Sequence, residues 1–433
     1  MKKYFLLIVL LILWSTHIYA DEAPMQPTQS GNVKPIENKD IQLKSEIINI
    51  YLNRFSYSVR VDYQFVNTGE KQKVIMGFPN QIQIGGGGRM ITPIKNFKAW
   101  DGKKPLKIYQ KEGEKNGKTF LTHSSDFGAD DIHIKELYEC FDITFEKGEK
   151  KNIINEYTQE YATDDEIVTF NLVEYILKTG ALWKGKIESI KVFIHFKGLP
   201  KHELKNRYAY FHKEEEPNID DSIKNAHKKK VGEFYVVNYN LKVEPNKYTM
   251  NGNTIQMTFK NIEPDFNIKV YLPPKLISGV VASSELKHKK ISYSPKNAVD
   301  NDPTTAWVEG KAGNGIGESI EVNTTIEQHH GDINGLHKIE KIGIINGYAK
   351  NKDIFFSNNR VKRIMFEYYY ISKYDGKKSK KMFFDLKDQM EIQYIRFKKP
   401  ILTGSFKITI LDVYKGTKYN DTAISEIQVF TAK

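Results

Sequence analysis

Apolar and polar residues alternate along this chain in many short runs, and almost none of them carries a helical period. Val59, Val61, Tyr63 and Phe65 alternate with Arg60, Asp62 and Gln64, then stop at Asn67-Thr68-Gly69. That pattern predicts a half-buried strand ending in a turn. Val74 to Phe78 reads as the next strand, closed by Pro79. Phe141, Ile143 and Phe145 alternate before Lys147-Gly148, and Ile190, Val192, Ile194 and Phe196 before Gly198-Leu199-Pro200. Tyr235, Val237 and Tyr239 follow, then Ile255, Met257 and Phe259, then Ile268 to Tyr271 ahead of Pro273-Pro274. Short strands at this spacing predict an antiparallel β-sandwich. One helix is expected around Val173 to Leu182. Lys201 to Lys230, with Glu214-Glu215-Glu216 and Lys228-Lys229-Lys230, reads as a solvated excursion.

Pro273-Pro274 ends the first domain, so residues 41–275 and 276–433 read as two units of ordinary domain size. In the second, Ile291 to Pro295 leads into an acidic turn, Asp300-Asn301-Asp302-Pro303-Thr304-Thr305-Ala306-Trp307. Ile342 to Lys350 reads as strand, turn and exposed loop. A strand from Asn359 runs through Met365, Phe366 and Tyr368. Ile408, Ile410, Val413 and Tyr414 form a late strand, before the polar loop Gly416 to Glu426 and a closing strand Ile427 to Phe430. The whole chain is predicted to be all-β.

The N-terminus changes the picture of where the chain goes. Lys2 and Lys3 precede an apolar run from Phe5 to Trp14, and Ile18-Tyr19-Ala20 offers a small residue for cleavage. Residues 1–20 therefore read as a secretory signal peptide, too short for a comfortable membrane span. Residues 21–40, rich in Pro, Gln, Ser and Asn, read as a disordered leader. Export is expected, to the cell surface, the periplasm or the medium, with no transmembrane segment in the mature chain. Cys140 is the only cysteine, so no intrachain disulfide can form. It sits in a strand-like run and reads as a buried small hydrophobe.

The formal net charge is +12. It is Lys-dominated and spread along the chain, and an exported basic protein can meet anionic glycans, teichoic acids or lipid headgroups. No nucleic-acid motif accompanies it, so nucleic acid is not among the expected partners. Catalytic signatures are equally thin. There is no G-x-S-x-G elbow, H-E-x-x-H, Walker A or dinucleotide fingerprint. Asp130-Asp131 and Asp164-Asp165-Glu166 read as solvated loop acids. A glycosidase pair drawn from them would need a fixed separation. His123 and His133 lack zinc spacing, and His329-His330, Asp332 and His337 read as a solvated, turn-rich loop of the kind that senses pH, with a zinc site as the alternative.

The acidic turn carries the strongest candidate chemistry. Asp300, Asp302 and Thr305, with Glu426 from the far end of the domain, offer oxygens of the kind calcium prefers. Alternatively, the two aspartates cap turns through their own backbone. A structural calcium is the only cofactor the sequence suggests, and none is required. Trp307 should be core, with a sugar-stacking face as the alternative.

Two resemblances rest on these stretches. Tyr175 to Ile187, with Gly180, Trp183 and Gly185, together with Asn67-Thr68-Gly69, Gly77-Phe78-Pro79 and the strand from Ile268, resembles a bacterial exported β-sandwich family of unknown function. It implies a fold and export, but no activity. The turn from Asp300 to Trp307 with Glu309, Gly315-Ile316-Gly317-Glu318, Asn346-Gly347-Tyr348, Asn359-Arg360 and the closure from Tyr419 to Ile427 resemble the discoidin-like, F5/8 type C superfamily. They look most like the glycan-binding, translocation-associated domain attached to streptococcal NAD glycohydrolase. That resemblance implies an eight-stranded jelly roll that binds glycans through loops at one end. Asn301 stands where the superfamily turn usually has Gly, and Asn tolerates the left-handed backbone. Nothing here matches the NAD-cleaving domain.

These readings give an exported, non-enzymatic two-domain protein that binds a glycan or cell-surface polysaccharide. Trp307, Glu309, Tyr348, Lys350 and Asn351 are the expected rim. The alternative is a secreted hydrolase with a catalytic first domain and a carbohydrate-targeting module. A third reading is an envelope scaffold. The oligomeric state is not legible.

Overall fold

The computed structural model of the chain describes residues 23–27, 33–35, 37–84, 93–112, 133–161, 171–196, 199, 201–204, 207–212, 226–327, 334–372 and 376–432. The signal segment, Gly85 to Gly88, His123, Asp130-Asp131, Asp164 to Glu166, Glu214 to Glu216, His329-His330 and Asp332 lie outside them.

Nearly all the regular structure of the described chain is strand, and its apolar residues form two main cores. The first is drawn from residues 41–272 and the second from residues 276–429. A long hairpin, Ile41–Leu52 with Ser56–Asn67, centres the first. Its alternation is what the sequence predicts: Val59, Val61, Tyr63 and Phe65 are buried while the residues between them are not. Lys150–Glu160 pairs with Ser56–Asn67, and Ile187–His195 with Ile41–Leu52. The latter pairing is parallel, so this sandwich is not purely antiparallel. A second sheet, built on Gln72–Ile84 and His133–Phe145, contributes Phe78, Phe141 and Phe145 to the same core. Trp183 packs 4.7 Å from Phe65, ring to ring.

Three expectations for this domain are corrected. Where a helix is expected, Asn171–Ile176 is a strand and only Lys178–Leu182 turns, as a short 3-10 helix. Pairing with Asn267–Leu272 overrides the local preference, because the strand is buried on both faces and so lacks a period of two. Within the leader expected to be disordered, Ala23–Pro27 pairs with Gln72–Ile84 and Val33–Pro35 pairs with Ala23–Pro27. An open sheet edge can recruit backbone that has no apolar pattern of its own. The predicted solvated excursion contains two strands, Arg207–His212 and Ala226–Val231, on either side of Phe234–Tyr239. Glu203 and Arg207 within it are buried.

The second domain is a jelly roll with strand order Gly279–Ala282, Ser319–Asn323, Ser405–Tyr414, Asn359–Ser372, Thr422–Thr431, His337–Asn346, Gln393–Thr403. Gly376–Asp385 pairs with Asn359–Ser372, and the short Trp307–Val308 with Thr422–Thr431. Ile320, Ile344, Ile364, Phe366, Phe406 and Ile408 fill its centre. Thr422–Thr431 is central and its first six residues are all buried. That includes the polar Ser425 and Glu426, which have no outer face to turn to.

The registers fix which loops share an end. Ala282 pairs with Ile320, Arg360 with Tyr414 and Asn346 with Ile424. Residues 283–318, 347–358, 386–392 and 415–421 therefore gather at one end. The first domain docks mainly away from these loops, meeting only the start of residues 283–318, where Lys296 Nζ lies 5.9 Å from the Phe55 ring centroid. Tyr210 and Leu336 exchange backbone hydrogen bonds of 2.9 and 2.8 Å at the opposite end, and His202 reaches the Val429 carbonyl at 3.1 Å. The hairpin tip carrying Arg54 and Phe55 also enters the junction, and Phe55 packs against the second core.

Candidate functional site

The acidic turn begins in a 3-10 turn, Pro295–Ala298, capped by Ser294. Asp300 then folds the chain back. Its Oδ1 accepts from the Asp302 amide at 2.9 Å and its Oδ2 from the Thr305 hydroxyl at 2.9 Å. Asp302 repeats the device, accepting from the Thr304 amide at 3.0 Å and hydroxyl at 2.7 Å. Between them Asn301 takes a left-handed φ of 63°, and its side-chain oxygen accepts from Gln428 at 2.9 Å. Asn thus serves where glycine is usual, and its side chain ties the turn to the closing strand.

Glu426 lies in that strand, 1 % exposed, and neither carboxylate oxygen has a hydrogen-bond partner. The Asn301 amide bears on it electrostatically without completing a hydrogen bond. Burial pushes Glu426 up to about 8; Arg54 opposes this and Asp300 adds to it. Burial also pushes Asp300 up, against the hydrogen bonds it accepts. Of the four predicted ligands, then, Asp300, Thr305 and Glu426 share one neighbourhood, while the exposed Asp302 is committed to Thr304. Among the described residues no three His, Cys, Asp or Glu side chains converge as a metal cage. A cation here would rest on two carboxylates, with hydroxyl and carbonyl oxygens completing its shell. Calcium accepts such a set, and unpartnered buried carboxylate oxygens fit it.

The predicted rim divides. Trp307 is fully buried and its indole N–H donates to the Ser284 carbonyl at 2.8 Å. It is core and offers no face to a sugar. Glu309 is also fully buried; it accepts from the Lys311 amide at 2.8 Å and the Thr422 amide at 3.3 Å, and burial raises its pKa. It braces the loop from beneath instead of lining a rim. Asn351 caps the short helix Lys352–Ser357 by accepting from the Ile354 amide at 2.9 Å. Tyr348 is half-buried and stands edge-on to Tyr293, centroids 6.2 Å apart. Lys350 is exposed at the loop end. Tyr348, Lys350 and the exposed, capping Asn351 therefore remain as outward groups.

The loop end holds residues that the sequence reading passed over. Lys287, His288, Lys289 and Lys290 are exposed beside Tyr293. Ile291, Ile316, Phe356 and Tyr419 are exposed apolar side chains there. The signal was present as a four-residue basic run directly before Ile291-Ser292-Tyr293. Charge spread along the whole chain masked it. Buried acids at this end are already engaged. Burial works against the charge on Glu318, but Lys311, Ser283 and Ser284 outweigh it and hold the carboxyl at about 2.

The interface with the first domain runs from the opposite end to the acidic turn, where the charge of Arg54 bears on Asp300. Arg54 pairs with Glu203 at 2.7 Å, both buried, and leaves its Nε and Nη1 without partners. Arg207 stands beside them, pushed down to about 10 by burial. His337 is fully buried, donates from Nδ1 to the Tyr208 carbonyl at 2.8 Å, and is pushed down to about 3 by burial and Arg207. It is an interface residue, not a solvated pH-sensing or zinc-binding loop group. Cys140 is buried, as expected.

A search of curated protein sequences finds no match to the chain. A proposed nutrient-binding protein of Legionella pneumophila aligns over 59 % of this chain and 71 % of its own, at 15 % identity and TM-score 0.37. The family 32 carbohydrate-binding module of Clostridium perfringens NanJ, solved with galactose, covers 35 % of this chain and 91 % of its own, at 19 % identity and TM-score 0.24. That of Streptococcus pneumoniae EndoD covers 36 % and 99 %, at 11 % identity and TM-score 0.26. No helix among the described residues is long and apolar enough to cross a membrane. Residues 271–430 match the family model of the NAD glycohydrolase translocation F5/8 type C domain, the family that the second domain resembles.

Proposed function

We propose that this is an exported, non-enzymatic protein whose second domain binds a glycan at a cell surface or within an envelope. The observation that carries the reading is the asymmetry of the jelly roll. One end is docked on the first domain through His202, Tyr208 and Tyr210. The other gathers four loops with Tyr293, Tyr348 and Lys350 among them. Aromatic faces suit sugar rings, and ammonium groups suit their hydroxyl and acidic substituents. The family match over residues 271–430 supports the same ligand class. The leader sequence of residues 1–20 supports export.

In this reading the first domain presents the second and does no chemistry. The junction cavity supports that view: among its lining residues Glu203 is the single carboxylate, flanked by Arg54, Arg207 and Lys275. A calcium held by Asp300, Thr305 and Glu426 would stiffen the turn and not touch the sugar. The test is a glycan array probed with the full secreted chain, with and without a chelator. Binding should be retained by Lys104→Ala and weakened by Tyr348→Ala and Lys350→Ala. An inert array, or binding indifferent to both loop variants, would reject the reading.

A further inference from the structure

We propose that the cradle formed by residues 285–293 takes an anionic sugar unit of an acidic polysaccharide, an inference that rests on glycan binding by this domain. The segment borders an open, shallow concavity of about 350 Å³. That is enough for a sugar ring, at the lower range of small-ligand sites. Its shape is built, not incidental. The Leu286 amide donates to the Val308 carbonyl at 2.8 Å, and the Val308 amide to the Tyr293 carbonyl at 3.3 Å, so the strand Trp307–Val308 holds both ends of the loop. Inside it, His288 Nδ1 accepts from the Lys290 and Ile291 amides, each at 3.2 Å. Leu286, Tyr293 and Tyr348 belong to one apolar cluster and supply a floor.

The charge around this floor is one-sided. Lys287 pairs with Glu285. Lys289, Lys290, Lys350 and Lys418 are exposed and have no carboxylate partner among the described residues. The acids that could offset them are engaged: Glu318 with Lys311, and Asp388 with Arg360. Asp302, Asp353 and Glu391 are exposed and Asp421 is half-buried at the same end; they reduce the excess, but Lys352, Lys387 and Lys415 are exposed there too and it is not cancelled. Ammonium groups on a preformed concave loop favour a carboxylate, sulfate or phosphate carried on a ring. A bilayer would favour the exposed apolar tips at Ile291 and Ile316 instead, and that occupant is an outcome of the test.

The full chain is to be titrated by biolayer interferometry against polygalacturonate, dextran sulfate and a glycerol-phosphate polymer, with dextran and galactan as neutral probes. Salt is set at about 50 mM and about 300 mM, which shortens the screening length roughly 2.5-fold. At least one acidic polymer should bind more tightly than both neutral ones and weaken as salt rises, and the arms identify the anionic group. Lys289→Gln with Lys290→Gln should weaken that binding about fivefold to thirtyfold at an unchanged melting temperature. Lys103→Gln with Lys104→Gln, exposed in the first domain, should leave it unchanged. An equal loss from that control pair, salt-insensitive binding of neutral glycans alone, or binding to anionic vesicles without any polysaccharide would overturn the inference. Neutral binding alone leaves glycan recognition standing. Failure of every polysaccharide removes both.

Discussion

Glu426→Gln removes a carboxyl that the fold buries without a hydrogen-bond partner. Burial, with Asp300 adding and Arg54 opposing, raises it from an ordinary 4.5 to about 8. The folded state therefore holds this proton more tightly than the unfolded chain does. The stability it contributes is fully present below pH 4.5 and is lost as the pH climbs toward about 8. At about 1.4 kcal/mol per pH unit, the whole interval is worth about 5 kcal/mol. The glutamine carries no such proton. Between about pH 5 and about pH 7, the wild type in a chelator should lose about 3 kcal/mol relative to Glu426→Gln. Urea unfolding followed by tryptophan fluorescence at each pH gives both curves, and Trp307 reports on this domain. The difference between the curves cancels other groups. Added calcium should flatten the wild-type slope, because a cation keeps the folded carboxylate ionised. A flat or rising difference in the chelator would refute the reasoning, and would mean that Arg54 already neutralises an ionised Glu426.

His337 should act in the opposite sense. Its folded pKa falls from 6.5 to about 3, so its stability is present above pH 6.5 and lost as the pH drops toward 3. His337→Gln should unfold less steeply with acid by circular dichroism. Gly315→Ala should destabilise the chain by about 1–3 kcal/mol. The residue has a φ of +69°, and a Cβ would lie 2.7 Å from Glu309 Cγ. Denaturant melts measure this, and an unchanged midpoint would show that the loop shifts freely. Trp307→Ala should cost about 3–5 kcal/mol and unfold the second domain, whatever glycan is present. A folded Trp307→Ala that lost only glycan binding would restore Trp307 to the rim.

The alternating strands were the legible part of the fold, because Val59 to Phe65 or Ile190 to Phe196 repeat with a period of two on a half-buried face. Asn171–Ile176 was not legible, since a strand buried on both faces has no such period. Pairing of Ala23–Pro27 left no local trace either, because an edge recruits backbone and not side chains. In the site, the sequence brought Asp300, Thr305 and Glu426 together correctly as neighbours. It read Trp307 as core, which holds, but also put Trp307 and Glu309 on the expected rim, because proximity along a loop says nothing about which way a side chain faces. Glu309 turns inward under Gly315, a contact that depends on the glycine's backbone and not on any polarity pattern. The basic run from Lys287 was visible throughout. It acquired meaning only when the registers put it at the undocked end.

The docked interface and the acidic turn are one electrostatic unit. Arg54 reaches from the first domain to Glu203, and its charge lowers both Asp300 and Glu426 across the junction. Arg54 is thus shared between its ion pair with Glu203 and the two carboxyls of the acidic turn. A divalent cation must displace the Glu426 proton and then sits near a guanidinium that repels it. Cation and proton therefore compete for one carboxylate, so affinity for calcium should rise with pH up to about 8. Separating residues 276–433 would remove Arg54 and the burial it shares with Phe55. Losing Arg54 would remove a charge that repels a cation and also one that favours the ionised carboxylate, so the two effects oppose each other. The first domain therefore bears on the Glu426 proton through Arg54, and any cation at this turn would compete for that proton.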